Sequence, residues 1–162
     1  MERVRFSSDA ALFDRAARLY AEVEPRLRAL LPAADIQHVG STAVPGSVTK
    51  GDLDVVVRVE PAAFAAADKL LGKHFDRNLG SDHNAEFAAF SVADTQPELG
   101  IQLVAIGGGA DHFLAWRDRL VADPELRAAY DGLKTRFDGA SMDAYRAAKG
   151  EFIRGILSKG KP

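Results

Sequence analysis

The chain has no cysteine among its 162 residues, which excludes a disulfide, a thiolate metal site and a cysteine nucleophile. It has no run of eighteen or more apolar residues, so the sequence predicts no membrane-spanning helix. It also has no excess of charge of one sign, since 21 Lys and Arg residues stand against 23 Asp and Glu residues. Proteins that bind duplex DNA normally carry a large basic surplus, so we expect no such partner. With a start unlike a signal peptide, these properties predict a cytoplasmic protein.

The composition is that of a folded globular protein. Apolar residues make up 47% of the chain and charged residues 27%. A chain of this length buries roughly 70% of its unfolded surface, which is enough for a substantial core. We therefore expect a single domain over residues 1–162. Residues 1–110 would form a core of helices and a sheet, and residues 111–162 a helical tail.

Hydrophobic spacing predicts the elements of the first half. Apolar residues recur at helical intervals over residues 12–31, after capping oxygens at residues 7–9. Residues 35–39 form a short strand candidate. Residues 53–59 are the best strand candidate, because Val55-Val56-Val57 is β-branched on both faces. A strand that is apolar on both faces normally lies inside a sheet with layers above and below it.

The second half is predicted to change from strands to helices. A helix follows Pro61, and a polar link covers residues 75–84. Two strands over residues 86–92 and 99–106 have a turn-rich segment between them, which is typical of a hairpin. Three helices are expected near residues 111–122, 125–137 and 142–158, with Pro124 starting the second and Ser141 capping the third. This order predicts an α+β fold with a C-terminal helical tail.

The segment from His38 to Val57 carries the most informative chemistry. Its second strand opens with Asp52-Leu53-Asp54, and side chains two positions apart on a strand point to the same side. Adjacent carboxylates repel each other, and Mg²⁺, which prefers oxygen ligands, removes that repulsion. We predict that Asp52 and Asp54 hold Mg²⁺ and are the catalytic acids. The alternative is a pair of solvated acids at the start of a strand.

A Gly-Ser turn precedes these acids and is a candidate phosphate site. Gly40 lets the backbone approach a ligand closely, because it has no Cβ. Ser41 and the amides after it would bind phosphate oxygens, particularly if a short helix starts there. A metal held by acids opposite a phosphate-binding turn is a common arrangement for phosphoryl or nucleotidyl transfer. An ordinary turn between two strands is the alternative.

Several blocks resemble one family. The segment His38-Val39-Gly40-Ser41-Thr42-Ala43-Val44-Pro45-Gly46 resembles the most characteristic stretch of the GrpB-like family, placed within the DNA polymerase beta nucleotidyltransferase superfamily. Lys50 and Asp54 stand where that family has a lysine and an aspartate. The likeness runs from residue 36 onward, and its later blocks are Trp116-Arg117-Asp118-Arg119-Leu120, Asp123-Pro124-Glu125, Tyr130, Leu133-Lys134, and Tyr145 with Lys149, Phe152 and Ile153.

The resemblance implies a nucleotidyltransferase-like fold, with a small mixed sheet flanked by helices. It also implies a third carboxylate on a later strand in catalytic members, completing a two-metal site. The matching position here is Gln102, whose neutral amide accepts through its carbonyl oxygen but cannot deprotonate a nucleophile. Glu86 and Glu98 are possible substitutes. We therefore expect either a metal-dependent nucleotidyltransferase that binds a nucleoside triphosphate through Mg²⁺, or a non-catalytic module that binds a nucleotide, a coenzyme or a partner protein.

The helical tail supplies candidate cations for a phosphate-bearing small molecule. Arg117, Lys134 and Lys149 would reach the cleft, although pairing with neighbouring helices is the alternative for each. His38 would either donate to a phosphate or hold the loop. The predicted site therefore has Asp52 and Asp54 on the metal, and as its ligand-binding residues Gly40, Ser41, Lys50, Gln102, Arg117, Lys134 and Lys149.

Overall fold

A computed structural model describes residues 2–159 of the chain. Over those residues it contains five α-helices and five strands, in an order that confirms the α+β class. The helices are α1 (Ala10–Leu30), α2 (Phe64–His74), α3 (Phe113–Ala122), α4 (Pro124–Arg136) and α5 (Met142–Lys159). The strands are β1 (Asp35–Val39), β2 (Leu53–Val59), β3 (Asp76–Arg77), β4 (Phe87–Val92) and β5 (Leu99–Ala105).

The strands form one mixed sheet in the order β1-β2-β5-β4-β3. Strand β2 pairs antiparallel with β1 and parallel with β5, while β4 pairs antiparallel with both β5 and β3. The predicted bounds of β1 and β2 are confirmed, and β4 and β5 form the expected antiparallel pair. In this register Asp54 lies opposite Val39 on one side and Gly100 on the other. The pairing therefore brings the predicted acid next to the residue that precedes the Gly-Ser turn.

Both faces of β2 are covered, as its composition predicts. Val55 and Val57 point into the large core that α1 and α2 close, and both are fully buried. Val56 points to the opposite face, where it packs with Val39 and Val104. Burying these side chains stabilises the sheet on both faces, since Val55 and Val57 remove apolar surface from water on one side and Val56 on the other.

Helix α1 begins where its capping residue predicts. The Asp9 side chain accepts a hydrogen bond from the amide of Ala11 at 3.0 Å, which satisfies one of the first N–H groups of the helix. The helix buries Ala16, Val23 and Leu27 against the sheet and continues through Pro25.

The helical tail forms a second, smaller core on the other face of the sheet. Trp116 of α3 packs edge-on against Tyr130 of α4 and Phe152 of α5. Pro124 is the first residue of α4, and the Ser141 hydroxyl accepts from the amide of Ala144 at 3.1 Å, so both predicted helix starts are confirmed. Within residues 2–159, no helix is long and apolar enough to cross a membrane.

Two features differ from the sequence expectations. The predicted polar link over residues 75–84 contributes the short edge strand β3, because Asp76 and Arg77 pair with the end of β4. The segment before α1 is tied to distant parts of the chain, because Val4 pairs with Ala140 and Ser7 pairs with Thr49 through backbone hydrogen bonds. These contacts join residues far apart in sequence, so local patterns carry no signal for them.

Candidate functional site

A cavity of about 220 Å³ lies between the sheet and the helical tail. Its walls come from the end of β1 and the turn after it, the starts of β2 and β5, and the three tail helices. All nine residues of the predicted site line this cavity: Gly40, Ser41, Lys50, Asp52, Asp54, Gln102, Arg117, Lys134 and Lys149. The structure thus brings the whole predicted set together, and the roles of these residues remain predictions.

The turn that follows β1 stands directly over Asp54. Gly40 has φ +78° and ψ −177°, a conformation that side chains rarely tolerate. A Cβ at this position would lie 2.5 Å from Oδ2 of Asp54, so only glycine fits there. A single 3₁₀ turn starts at Ser41, which is the short helix that would favour the predicted phosphate site, and its first N–H groups have no carbonyl partner within the turn. The turn that carries these backbone N–H groups is therefore in close contact with the Asp54 carboxylate at Gly40.

Asp54 is a half-buried acid that lines the cavity. Burial raises its pKa above the ordinary value of 3.8, with Lys149 opposing that shift and Asp52 adding to it. A raised pKa means that the carboxylate is poorly solvated, so it would gain from a bound cation. Asp52 lies nearer the surface, where Lys50 Nζ pairs with its Oδ2 at 3.1 Å. The two acids share the cavity, and one already has a cationic partner.

Gln102 stands beside Asp54, as its position on β5 predicts. The Gln102 amide nitrogen and Oδ1 of Asp54 both lie over Gly100, 3.3 and 2.9 Å from where a Cβ would stand. Across the part of the chain that the structure describes, the Gln102 Oε1 atom is the one buried side-chain oxygen or nitrogen without a hydrogen-bond partner. Such an atom is costly unless something binds it, which makes it a candidate ligand to a cation or a donor.

The cavity has no third carboxylate among the described residues that line it. Glu86, one of the two possible substitutes, accepts from the amide of Gly109 at 2.9 Å on another part of the surface. Glu98 is exposed and does not line the cavity. Consistent with this, residues 2–159 contain no cluster of three or more His or acidic residues arranged to hold a metal.

Two of the predicted cations differ in how their charges are used. Arg117 donates from Nη1 to the carbonyl of His38 at 3.0 Å and pairs with Asp118 at 2.8 Å, so it links α3 to the end of β1 while lining the cavity. Lys149 lines the cavity from α5, one helical turn after Tyr145. Of the charges that lower the pKa of Asp54, that of Lys149 has the largest effect.

Lys134 is almost completely buried, with 1% of its surface exposed. Its Nζ donates to the carbonyl of Val48 at 2.7 Å and to Ser47 Oγ at 3.2 Å. Burial lowers its pKa from 10.5 to about 8, with Asp131 opposing that shift and Lys149 adding to it. This lysine therefore contacts the loop before β2 as well as the cavity.

His38 holds the turn after β1, which is one of the two roles that the sequence allowed for it. Its Nε2 lies 2.9 Å from the hydroxyl of Thr42, and its ring stacks on Tyr20. Burial, with a smaller contribution from Arg117, lowers its pKa from 6.5 to about 4, so the ring is neutral near pH 7. His38 does not line the cavity but holds the turn from behind.

The glycine run at residues 107–109 is not an open anion site. The amide of Gly107 donates to Asp111 at 2.9 Å, and that of Gly109 donates to Glu86. Carboxylates of the chain itself therefore occupy these donors.

The predicted site set omits several ring-bearing residues of the cavity, among them Tyr130, Tyr145 and Phe6. Tyr130 and Tyr145 line it, and burial raises the pKa of both phenols, so they remain protonated donors. The four-residue spacing of Tyr145 and Lys149 placed them on one helical face and could have identified the tyrosine. Phe6 also lines the cavity and packs edge-on against Tyr145 at 5.0 Å. No local signal identifies Phe6. It reaches the cavity because its neighbours Val4 and Ser7 pair with Ala140 and Thr49, respectively, which are distant in sequence.

Comparison with known proteins places the chain in a family. Residues 14–159 match the family model described as GrpB protein. A UPF0157 protein of Vibrio cholerae is 34% identical over 142 residues, covering 87% of this chain and 75% of the relative. A UPF0157 protein of Streptomyces coelicolor is 29% identical over 139 residues, covering 82% of this chain and 72% of the relative.

Solved structures show the same fold. The crystal structure of the conserved protein GrpB from Enterococcus faecalis matches with a TM-score of 0.60 at 17% identity, over 88% of this chain and 94% of that one. A cytoplasmic RNA terminal U-transferase matches with a TM-score of 0.52 at 13% identity, over 77% of this chain and 39% of that one. The Cid1 poly(U) polymerase with MgGTP bound matches with a TM-score of 0.50 at 14% identity, over 74% of this chain and 40% of that one. The fold is nucleotidyltransferase-like, and the chain belongs to the GrpB family.

Proposed function

We propose that this protein binds a nucleoside triphosphate together with one Mg²⁺ ion in the cavity between the sheet and the helical tail. The main support for this proposal is the position of the Asp54 carboxylate directly beneath the Gly40 turn. Asp52 and Asp54 would hold the metal, and the turn from Gly40 to Ser41 would bind phosphate oxygens. The Cid1 polymerase, whose fold is similar, was solved with MgGTP bound, which supports a metal-nucleotide ligand for this fold.

The charge of the cavity supports an anionic ligand that brings a cation. Among its described lining residues, the two carboxylates face four cations, Lys50, Arg117, Lys134 and Lys149. A surplus of positive charge favours phosphate groups, while the paired carboxylates favour a hard divalent ion. A triphosphate with Mg²⁺ satisfies both preferences at once. A cavity of about 220 Å³ is smaller than a typical ligand pocket, so we expect the phosphates inside and the base toward the mouth.

The residues present fit a single Mg²⁺ ion. The poorly solvated carboxylate of Asp54, the second carboxylate of Asp52 and the unpartnered oxygen of Gln102 are all hard oxygen donors in one cavity. When bound, Mg²⁺ would neutralise phosphate charge and hold the phosphate chain in one orientation.

The donor set favours binding over nucleotidyl transfer. Transfer needs a group that takes a proton from the attacking hydroxyl, and the amide of Gln102 cannot do so. Among the described lining residues, the acids are Asp52 and Asp54, both assigned to the metal. We therefore propose a nucleotide-binding protein, with transfer of a nucleotidyl group as the activity to test for.

The experiment is a thermal-shift screen of nucleotides and coenzyme A precursors, each with and without Mg²⁺, followed by calorimetry on the ligands that stabilise the protein. We expect a nucleoside triphosphate to raise the Tm only when Mg²⁺ is present. Asp54→Asn should lower the affinity for the Mg²⁺ complex by at least about 100-fold, because even partners outside the metal ligands cost 10- to 100-fold when removed. Its Tm should not fall, so the loss of affinity is a loss of binding and not of folding.

Asp94→Asn serves as the matched control, because Asp94 is an exposed acid in the turn between β4 and β5. This variant should bind with the affinity of the unmodified protein. An Asp54→Asn variant that binds the Mg²⁺ complex as tightly as the control would refute the proposal. A ligand that binds equally well without Mg²⁺ would refute the metal's role.

A further inference from the structure

The loop that carries Lys50 and Asp52 has little secondary structure of its own. It runs from Val44 to β2, and its Ser47 and Thr49 side chains are each 1% exposed. A buried loop needs partners for its polar groups, since an unpaired polar group away from water is costly. Some of the loop's partners lie on α4, more than eighty residues later in the chain.

Two side chains of α4, which we call the α4 clamp, hold this loop. Lys134 donates from Nζ to the carbonyl of Val48 at 2.7 Å and to Ser47 Oγ at 3.2 Å. Asp131 accepts from Ser47 Oγ at 2.8 Å and from the amide of Val48 at 3.2 Å. Lys134 Nζ lies 3.6 Å from Asp131 Oδ1, so the opposite charges of the two clamp residues also partly compensate each other.

Because Lys134 is buried, its ammonium group depends on the hydrogen-bond partners that the loop supplies. An ammonium group out of water must be paired, and removing a partner from such a group costs far more than the pair contributes. The loop supplies a carbonyl and a hydroxyl, and the Tyr130 ring covers the ammonium at 4.3 Å. Movement of the loop would therefore remove the carbonyl and the hydroxyl that accept from this buried ammonium group, and leave it with Asp131 and the Tyr130 ring.

The same contacts leave the ammonium little capacity for a ligand. An ammonium group has three N–H donors, and two of them are used on Val48 and Ser47. Asp131 Oδ1 lies 3.6 Å from Nζ and is a charged partner within reach of the third. By contrast, Lys50 is exposed at the cavity and pairs with Asp52. The position of Lys134 in the cavity wall is thus compatible with support of the loop.

We propose that Lys134, together with Asp131, is a positioning residue that holds Ser47 and Val48, and through them Asp52, in place for the metal. Lys134 is then not a ligand of the phosphates, which revises the role predicted for it from sequence. This inference rests on the proposed function, because it assigns Asp52 to the metal. What it adds is that metal affinity is set partly from α4.

The direction in which Lys134→Met changes the Mg²⁺ affinity distinguishes a positioning role from a purely electrostatic one. If Lys134 acts only through its charge, Lys134→Met removes a positive charge from the cavity and should tighten Mg²⁺ binding in the absence of nucleotide. If Lys134 positions the loop, the same variant should weaken Mg²⁺ binding by about 10-fold, as partners outside the metal ligands do. Lys149→Met is the comparison, and it should tighten Mg²⁺ binding.

Ser47→Ala provides a second variant that keeps the ammonium group. It removes one partner of both clamp residues, so it should also weaken Mg²⁺ binding without any change in charge. Affinities are measured by calorimetry on the full chain, with circular dichroism to establish that each variant is folded. Unchanged or tighter Mg²⁺ binding by both Lys134→Met and Ser47→Ala would overturn the proposal.

Hydrogen exchange tests the loop itself and needs no metal. In the metal-free protein, the amides of residues 47–52 should exchange at least about 10-fold faster in Lys134→Met and Ser47→Ala than in the unmodified chain. Unchanged exchange there would overturn the clamp even if nucleotide binding is confirmed. Faster exchange in a protein that binds no Mg²⁺ would retain the clamp on the loop, refute its role in metal affinity and refute the proposed function.

Discussion

Replacing Gly40 by alanine tests whether close approach to Asp54 shapes the site. Gly46 lies six positions later and offers a matched control, because both glycines have positive φ, +78° and +79°. A Cβ at Gly46 would meet no atom within 4 Å, whereas a Cβ at Gly40 would lie 2.5 Å from Oδ2 of Asp54 and 3.0 Å from its Cβ. The pair separates backbone strain from steric conflict.

The expected magnitudes follow from these two contributions. A positive φ costs an alanine about 1–2 kcal/mol, which sets the loss for Gly46→Ala. Gly40→Ala carries a backbone cost of about 1–3 kcal/mol and a further 1–3 kcal/mol from overpacking. We therefore expect Gly40→Ala to destabilise the protein by about 2–6 kcal/mol. At about 3 °C per kcal/mol for a chain of this size, its Tm should fall by about 6–18 °C, against about 3–6 °C for the control.

Urea unfolding and calorimetry give both readouts. Gly40→Ala should also abolish Mg²⁺-dependent nucleotide binding, because the new methyl group displaces the Asp54 carboxylate, while Gly46→Ala should retain it. If the two variants lose the same stability and bind alike, the contact between the turn and Asp54 is not what requires glycine, and the reasoning is wrong.

Three further predictions follow from single contacts. Burial raises the pKa of Asp54 in the folded state, so its charge opposes folding above that pKa. Asp54→Asn should therefore raise the Tm at pH 7, and this gain in Tm should be lost as the pH falls to the ordinary carboxyl pKa of 3.8. An equal or lower Tm at pH 7 would contradict this. Ser141→Ala removes the cap of α5 and should cost about 1 kcal/mol by urea unfolding, whereas Ser158→Ala near the other end of that helix should cost less than about 0.5 kcal/mol. Lys50→Met releases Asp52 from its ion pair and should tighten Mg²⁺ binding while weakening nucleotide binding by calorimetry; a loss of Mg²⁺ affinity would show that the lysine supports the acid.

The elements of the fold were predictable because their signals are local. The capping oxygen of Asp9, the β-branched run of β2 and the start of α4 at Pro124 each act within a few residues. The edge strand β3 was missed, because a two-residue strand has no periodicity and forms only where β4 is already in place.

The contact between the Gly40 turn and the acids was also predictable, because the strands that carry them are neighbours in sequence. Gly40 directly follows β1 and Asp54 lies in β2, and these strands are consecutive in sequence and pair antiparallel, so the pairing of Val39 with Asp54 brings the turn and the acids together. The use of each cation was not predictable. Whether a lysine faces a ligand or a loop depends on what packs against it, and sequence spacing does not report that for Lys134.

The sequence by itself therefore determined the α+β class, the strand that carries the acids and the turn beside them, since hydrophobic period, capping and turn chemistry are short-range properties. Only the tertiary structure decided that the N-terminal segment places Phe6 in the cavity wall and that α4 holds the loop before β2. Those contacts join residues more than eighty positions apart, and they form because buried polar groups and rings must find partners once the layers have packed.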